Sequence, residues 1–374
     1  MRIAYVHILP LEYYPPATNT LELLARQDGW ELSAWTSDNE RGMTEWSSRK
    51  VRVSRPQRLA TDAALPGRVA SHVWWHFRAA REIARSDPDV LISVEPHSAL
   101  ATWLYYNVFG GKARLFIHHH EYYAPEDFAG KGMRILRVTR RLERGDLFRR
   151  AEWISQTNKH RLRLLRESNP LVTNEKAHVF PNCPPEDWLA RAARAPRRTI
   201  VNPVRFLYLG SASVNDTFIA EFAEWISAHR SEATLHVVGN NISSDVWRKL
   251  RALNASNISL DESGWAYDTV AERLSDFDVG VILYRGNTQN FIYNIPNKAI
   301  EYLAGGLEVW YPPQMLGMID FHDEFPELRL RRVDFTDLPS AVPAIDLAGA
   351  PRTSFPFAAE SALRPLVAAI AETP

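Results

Sequence analysis

Residues Asp278–Tyr311 constrain the fold of this chain more than any other stretch. An apolar, largely β-branched run (Val279, Val281, Ile282, Leu283) gives way to a polar loop. A helical run then opens at Pro296, stops at Gly305-Gly306, and a second strand-like run starts at Leu307. Strand, loop, helix, turn and strand in that order make a crossover unit of a parallel sheet. In such sheets ligands bind beyond the carboxyl ends of the strands, so a polar site is expected in the loop after Leu283. Pro296 suits a first helical turn, where its missing N–H would be unpaired anyway, and the amides around it present partial positive charge to an anion. Lys298 and Glu301 are three residues apart and share a helix face. One suits a phosphate and the other hydroxyl groups, although an ordinary crossover helix with two solvated charges has the same spacing.

The rest of the chain repeats this alternation. Arg2–Ile8 reads as a strand, followed by the loop Leu9–Thr18, a helix through Leu21, Leu24 and Ala25, a strand at Glu31–Trp35 and a short one at Val51–Val53. Ala64–Ser86 is a long helix carrying Val69, Val73, Phe77 and Ile83, and Asp87-Pro88-Asp89 ends it before the strand Val90–Val94. A helix at Ser98–Phe109 stops at Gly110-Gly111, and the strand Arg114–His118 runs into His119-His120-Glu121. After a strand at Ala151–Thr157 the pattern restarts: Arg205–Leu209 ends in Gly210, Thr234–Val238 ends in Gly239, and Gly264-Trp265 precedes the helix Tyr267–Ser275. Val333–Phe335 reads as one more strand. This alternation predicts an α/β fold with two Rossmann-like, doubly wound sheets. The expected boundaries are a first domain at 1–183, a proline-rich linker with a short helix at 184–203, a second domain at 204–355 and a final helix at 356–374.

A chain of 374 residues is long enough for two cores. Its formal net charge of zero gives no reason to expect a nucleic-acid partner. The single Cys183 rules out an internal disulfide and a cysteine zinc cluster, which agrees with a reducing cytoplasm. The N-terminus, MRIAYVHILP, reads as a strand and not a signal peptide. No apolar run approaches the ~20 residues of a membrane helix. Charge is nevertheless uneven, because 131–166, read as mainly helical, holds twelve Lys and Arg against three acids, a net of +9. Arg134, Arg137, Arg141 and Arg144 recur at helical spacing. The stripe reads either as a solvated face or as a contact with an anionic membrane or lipid-phosphate acceptor, which would place the protein on the inner face of a membrane.

Asn294-Ile-Pro296-Asn-Lys298-Ala-Ile-Glu301-Tyr302-Leu-Ala-Gly305-Gly306-Leu resembles the donor-binding motif of GT-B fold glycosyltransferases, in particular glycosyltransferase family 4 and its relatives. Phe180-Pro181-Asn182 is similar to the step at which that family's chain enters its second domain. The resemblance implies two Rossmann-like domains facing across a cleft, with the last helix crossing back to the first. It also implies a nucleoside-diphosphate-sugar donor, a glycan or lipid-linked acceptor, no cofactor and no metal. Carried over residue by residue, Glu301 would hold the ribose, and Lys298 or the neighbouring amides would meet the diphosphate. Gly210 and Ser211 would let the backbone approach the donor, with Gly239 at the next strand end, and Gly264 and Trp265 would stand near the base. These glycines also fit turns that need positive φ. His119 or His120 would contact the donor sugar, with Glu121 orienting the acceptor or a histidine. Satisfied structural histidines are the alternative. Tyr122, Tyr123 and the loop Glu12–Pro16 would line an acceptor groove.

The chain departs from the family pattern in specific places. Ser211-Ala-Ser213 stands where an Arg and Lys are usual, Tyr293 where an acid is usual, and Glu308 where a Pro is usual. Lys298 and Arg285 are then the cations expected at the diphosphate. The implied reaction is sugar transfer with retention, with positive groups and amides stabilising the leaving diphosphate. A sugar-nucleotide epimerase and a non-catalytic subunit are the alternatives on the same fold. The former would need extra carboxylates at the anomeric centre, and the latter would gain no stability from any nucleotide.

Overall fold

The structure, a computed structural model, describes residues 1–39, 44–60, 62–129, 133–195, 203–345 and 357–372, apart from the side chains of Ala129 and Arg134. The chain divides into two compact units, Met1–Asn182 with Ala359–Pro374, and Cys183–Ala358.

The first unit is built on seven strands: β1 (Arg2–Val6), β2 (Glu31–Trp35), β3 (Val51–Ser54), β4 (Val90–Val94), β5 (Arg114–His119), β6 (Trp153–Gln156) and β7 (Ala177–Val179). They pair in the order β3-β2-β1-β4-β5-β6-β7, and every pairing is parallel. The order reverses between β1 and β4, the point at which open α/β sheets hold ligands. All five residues of β4 are buried, as expected of a strand covered on both faces.

The final helix, Ala359–Ala371, belongs to this first unit. Its C-terminal carbonyls meet the Arg114 guanidinium, which donates to Ala369 O (2.9 Å), Ile370 O (3.0 Å) and Glu372 O (2.7 Å). A cation at a helix C-terminus opposes the helix dipole and fills orphaned carbonyls.

The second unit holds β8 (Val204–Leu209), β9 (Ala233–Val238), β10 (Ile258–Asp261), β11 (Val279–Val281), β12 (Glu308–Tyr311) and β13 (Leu330–Arg332). They are ordered β10-β9-β8-β11-β12-β13, again all parallel. Alternate side chains of β8 feed two cores, as a period of two requires: Phe206 and Tyr208 join Phe222, Trp225 and Trp310, while Leu207 and Leu209 join Tyr302, Val309 and Tyr311.

The short helix expected within 184–203 is present at Glu186–Arg194, and its Trp188 is fully buried in the second core and donates to Tyr267 O at 3.1 Å. Residues 196–202 lie outside the described set. The strand expected at Val333–Phe335 falls instead on Leu330–Arg332, in register with Val309–Tyr311. Pro296 is the N-cap, with φ of −66° and ψ of 141°, one residue before the helix Asn297–Ala304.

In the helix Leu65–Ser86 the buried side chains are Trp75, His76, Ala79, Ala80 and Ile83, whereas Val69 and Val73 are exposed. Val69 and Val73 lie at helical spacing from His76, Ala80 and Ile83, so the core-facing stripe runs on past the part of the helix that has a core to face.

The basic region is not one helix. It comprises Arg134–Leu142, a π-helical turn at Glu143–Leu147, Phe148–Arg150, β6 and Lys159–Glu167. Lys131 lies outside the described residues. Two of its arginines are buried: Arg140 donates to Tyr123 O, and Arg161 to His120 O and Thr157 Oγ1. Arg141, Arg144, Arg149 and Arg150 remain exposed.

Candidate functional site

In the second unit the helix Asn297–Ala304 is fixed by Tyr302, whose side chain is fully buried. Its hydroxyl accepts the Leu209 amide at 2.8 Å, at the carboxyl end of β8. Its ring lies so close to Gly280 of β11 that a Cβ there would stand 2.1 Å from it. Ala299, Ile300 and Leu303 are also buried, and Lys298, one turn before Tyr302, lies on its side of the helix, toward the end of β8.

Lys298 Nζ stands 4.6 Å from the ring centroid of Tyr208 and 5.1 Å from that of Tyr284, a cation–π arrangement. It also stands 3.2 Å from where a Cβ on residue 210 would be. Gly210 has φ of +111°, a conformation that suits glycine. Its carbonyl oxygen would be 2.2 Å from a Cβ on Gly239, so the two strand ends touch backbone to backbone. Burial pulls the Lys298 amine down to about 8, against the opposing pull of Glu301. Burial likewise pushes the Glu301 carboxyl up to about 7, with Lys298 acting the other way. Both groups therefore change charge near neutral pH, which is where charge-tuned functional groups sit.

The other expected donor residues divide. Ser211 is exposed beside Gly210, and its carbonyl accepts the Tyr208 hydroxyl at 2.6 Å. Gly264 has φ of +73° and packs on Asn240. Trp265 donates to Asp261 Oδ2 at 2.8 Å and lies under the Arg273 guanidinium. Tyr293 and Asn294 sit in the loop before the helix, their carbonyls so close to Gly317 that a side chain there would collide with them.

The Arg285 guanidinium is turned to Glu221, to Val214 O and to the face of Phe218. It thereby ties the loop after β11 to the one after β8. Glu308 is also structural: it accepts from Trp310 Nε1 at 2.7 Å and pairs with Arg331 at 2.5 Å.

In the first unit a polar cluster gathers at the carboxyl ends of β1, β4 and β5. The two candidate histidines differ. His119 is committed to Glu143, at 2.8 Å; burial, the largest single effect, lowers its pKa, but the charge and hydrogen bond of Glu143 together with Glu95 make the net shift upward. His120 contacts His118 Nε2 at 3.2 Å and Asn182 Oδ1 at 3.1 Å through Nδ1, which leaves Nε2 without a partner among the described residues. Burial lowers its pKa to about 4. Glu121 is half exposed and accepts from Arg161 at 3.1 Å.

Sequence reading missed two residues of this cluster. Glu95 directly follows β4 with φ of +64°, a strained value for a side-chain-bearing residue. Its Oε1 accepts the amides of His120 (2.7 Å) and Glu121 (3.1 Å), while Oε2 is buried without a partner among the described residues. Burial raises its pKa to about 8. His7 directly follows β1, fully buried and edge-on to Tyr14 at 4.7 Å, and neither ring nitrogen is paired among the described residues. Burial lowers its pKa well below the usual value. The available signal was a polar residue immediately after each of the first unit's two most apolar strands.

Among known proteins, no family model matches this chain, and no curated protein matches it. Solved structures do. Sucrose-phosphate synthase from Thermosynechococcus elongatus aligns over 99% of this chain and 90% of its own, with a TM-score of 0.60 and 14% identity. HepE of Anabaena, in complex with UDP and glucose, covers 86% and 82% with a TM-score of 0.59 and 10% identity. The lipopolysaccharide outer core galactosyltransferase WaaB covers 86% and 83% with a TM-score of 0.54 and 14% identity. Two doubly wound parallel sheets matching these proteins define the fold as that of the GT-B glycosyltransferases.

Proposed function

We propose that the protein transfers a sugar from a nucleoside-diphosphate sugar to a hydroxyl of a glycan or lipid-linked acceptor. The observation that carries this reading is Lys298, electrostatically coupled to Glu301, held against Gly210 at the switch point of β8 and β11. A diphosphate leaving group gains negative charge as the glycosidic bond breaks. Lys298 and the first-turn amides of Asn297–Ala304 supply positive charge there. Glu301 accepts hydrogen bonds from the ribose hydroxyls. Arg285 takes no part while it is paired with Glu221.

In the first unit, His120 and Glu121 are assigned to the sugar and acceptor side, while His119 holds Glu143. The reading includes retention at the anomeric carbon and no requirement for a divalent cation; NMR of the product linkage and assay in chelator test those two points. It also includes peripheral contact of the basic region 131–166 with an anionic membrane on its cytoplasmic side. No described helix is long and apolar enough to cross a membrane.

HepE is a structure with UDP, so UDP leads a thermal-shift panel with GDP, dTDP and CMP. A ligand at a hundredfold excess over its Kd stabilises by about 2.7 kcal/mol. The expected result is a shift with one nucleotide that Glu301→Ala greatly reduces. No shift with any nucleotide overturns donor binding, and an unchanged shift in Glu301→Ala overturns the role of that residue.

A further inference from the structure

Among the described residues, the first half of the helix Leu65–Ser86 keeps the apolar side of an amphipathic surface exposed. Leu65, Val69 and Val73 follow one another at intervals of four, and they are 55%, 36% and 47% exposed. They continue the stripe whose later members, His76, Ala80 and Ile83, are buried. Trp74, 48% exposed, stacks on Phe77 at 5.4 Å, and Phe77 in turn meets Phe109 at 5.4 Å. Phe109 adjoins Val108, itself 54% exposed. Single exposed apolar residues need no explanation, but a connected run of them does.

Charge specifies what covers this face. Arg78 sits over the Trp74 ring at 5.4 Å, and Arg68 is exposed in the same turns of helix. At the Val108 end, Arg150 reaches Asn107 Oδ1 at 3.2 Å, which brings the basic segment to the same edge. Within that segment Arg141, Arg144 and Arg149 are exposed, as is Val138 at 51%. Aliphatic side chains and a tryptophan flanked by arginines match the boundary of an anionic bilayer. The apolar groups enter the acyl region, the indole lies at headgroup level and the guanidinium groups meet lipid phosphates. A protein partner would need an acidic surface around an apolar groove, and a second copy of this chain would set arginine against arginine.

We infer that the apolar face Leu65–Val69–Val73 with Trp74 inserts into an anionic lipid surface, and that the exposed arginines between Arg141 and Arg150 bind the headgroups around it. The membrane contact is thus bipartite, with hydrophobic anchoring by a helix outside the basic segment. This rests on the membrane contact in the reading above, but not on donor binding.

The test uses the full chain with sucrose-loaded vesicles of phosphatidylcholine, with and without phosphatidylglycerol. Binding is expected only with the anionic lipid. Val73→Ser combined with Trp74→Ser should weaken it about tenfold or more, while Arg141→Gln combined with Arg149→Gln should weaken it and flatten its salt dependence. An environment-sensitive label on Val73→Cys should shift to the blue with anionic vesicles; the native Cys183 is buried and leaves the label specific. Nucleotide-induced stabilisation is unchanged in the double serine variant, which separates loss of membrane contact from loss of fold or donor site. The inference is overturned if serine variants bind vesicles as the wild type does, if the label stays in water, or if the face instead mediates a dimer that Trp74→Ser dissociates.

Discussion

Lys298 Nζ lies 3.2 Å from the position a side chain on Gly210 would begin to fill, and Gly210 holds φ of +111°. The glycine at the end of β8 and the lysine on the crossover helix are therefore one device. Gly210→Ala both strains the backbone, by about 1–3 kcal/mol, and displaces the ammonium. The expected outcome is a lower Tm and at least a tenfold weaker Kd for the nucleoside diphosphate that binds the wild type, read by calorimetry. A Kd unchanged in Gly210→Ala would separate the glycine from the anion site.

The same pair sets a pH window. Lys298 loses its proton near pH 8 and Glu301 gains one near pH 7. A diphosphate prefers the ammonium and ribose hydroxyls prefer the carboxylate, so affinity should peak between about 7 and 8. Above the window Lys298 is neutral and phosphate binding weakens; below it Glu301 is neutral and accepts fewer hydrogen bonds. Titrations across pH should show both limbs in the wild type. Glu301→Gln loses the acid limb and Lys298→Met the alkaline one, each with weaker binding overall.

Tyr302 connects fold and site through one hydrogen bond. Its hydroxyl accepts the buried Leu209 amide at 2.8 Å, and Tyr302→Phe leaves that amide unpaired. The expected cost is about 1–3 kcal/mol in urea unfolding, with nucleotide affinity falling because the helix bearing Lys298 and Glu301 loses its tie to β8. Loss of stability without loss of affinity would show that packing of the Tyr302 ring on Gly280 positions the helix by itself.

The two sheets are legible in the sequence because β-branched runs alternate with helical periods, and a parallel sheet with helices on both faces follows. Lys298 and Glu301 are legible for the same reason, since three-residue spacing fixes their shared face. What local pattern cannot show is long-range pairing. Arg285 has the right charge for a phosphate, yet Glu221, sixty-four residues earlier, holds it. His119 and His120 are neighbours in sequence, but β5 sends one to Glu143 and the other toward Asn182. Val69 and Val73 have core spacing, but a helix period does not reveal where the core ends. Glu95 and His7 become a site only once β1 and β4 are known to be adjacent.

Glu95 makes the last of these testable. Its folded pKa of about 8 lies above the ordinary 4.5, so between those values the folded state holds a proton that the unfolded state has released. Stability from this group is present below pH 4.5 and is lost as pH rises through 8, with a slope of up to about 1.4 kcal/mol per pH unit for a single proton. The neighbouring buried histidines act oppositely: lowered pKa values make folding more favourable as pH rises toward 6.5. The wild-type curve mixes these effects, and the difference between wild type and Glu95→Gln isolates the carboxyl. The substituted amide stays neutral, and its oxygen can still accept the two backbone amides that hold Oε1. Stability of the variant relative to wild type should therefore rise between pH 5 and 8 and then level off. A difference curve flat across that range would mean that Glu95 is already ionised in the folded protein, with its second oxygen solvated.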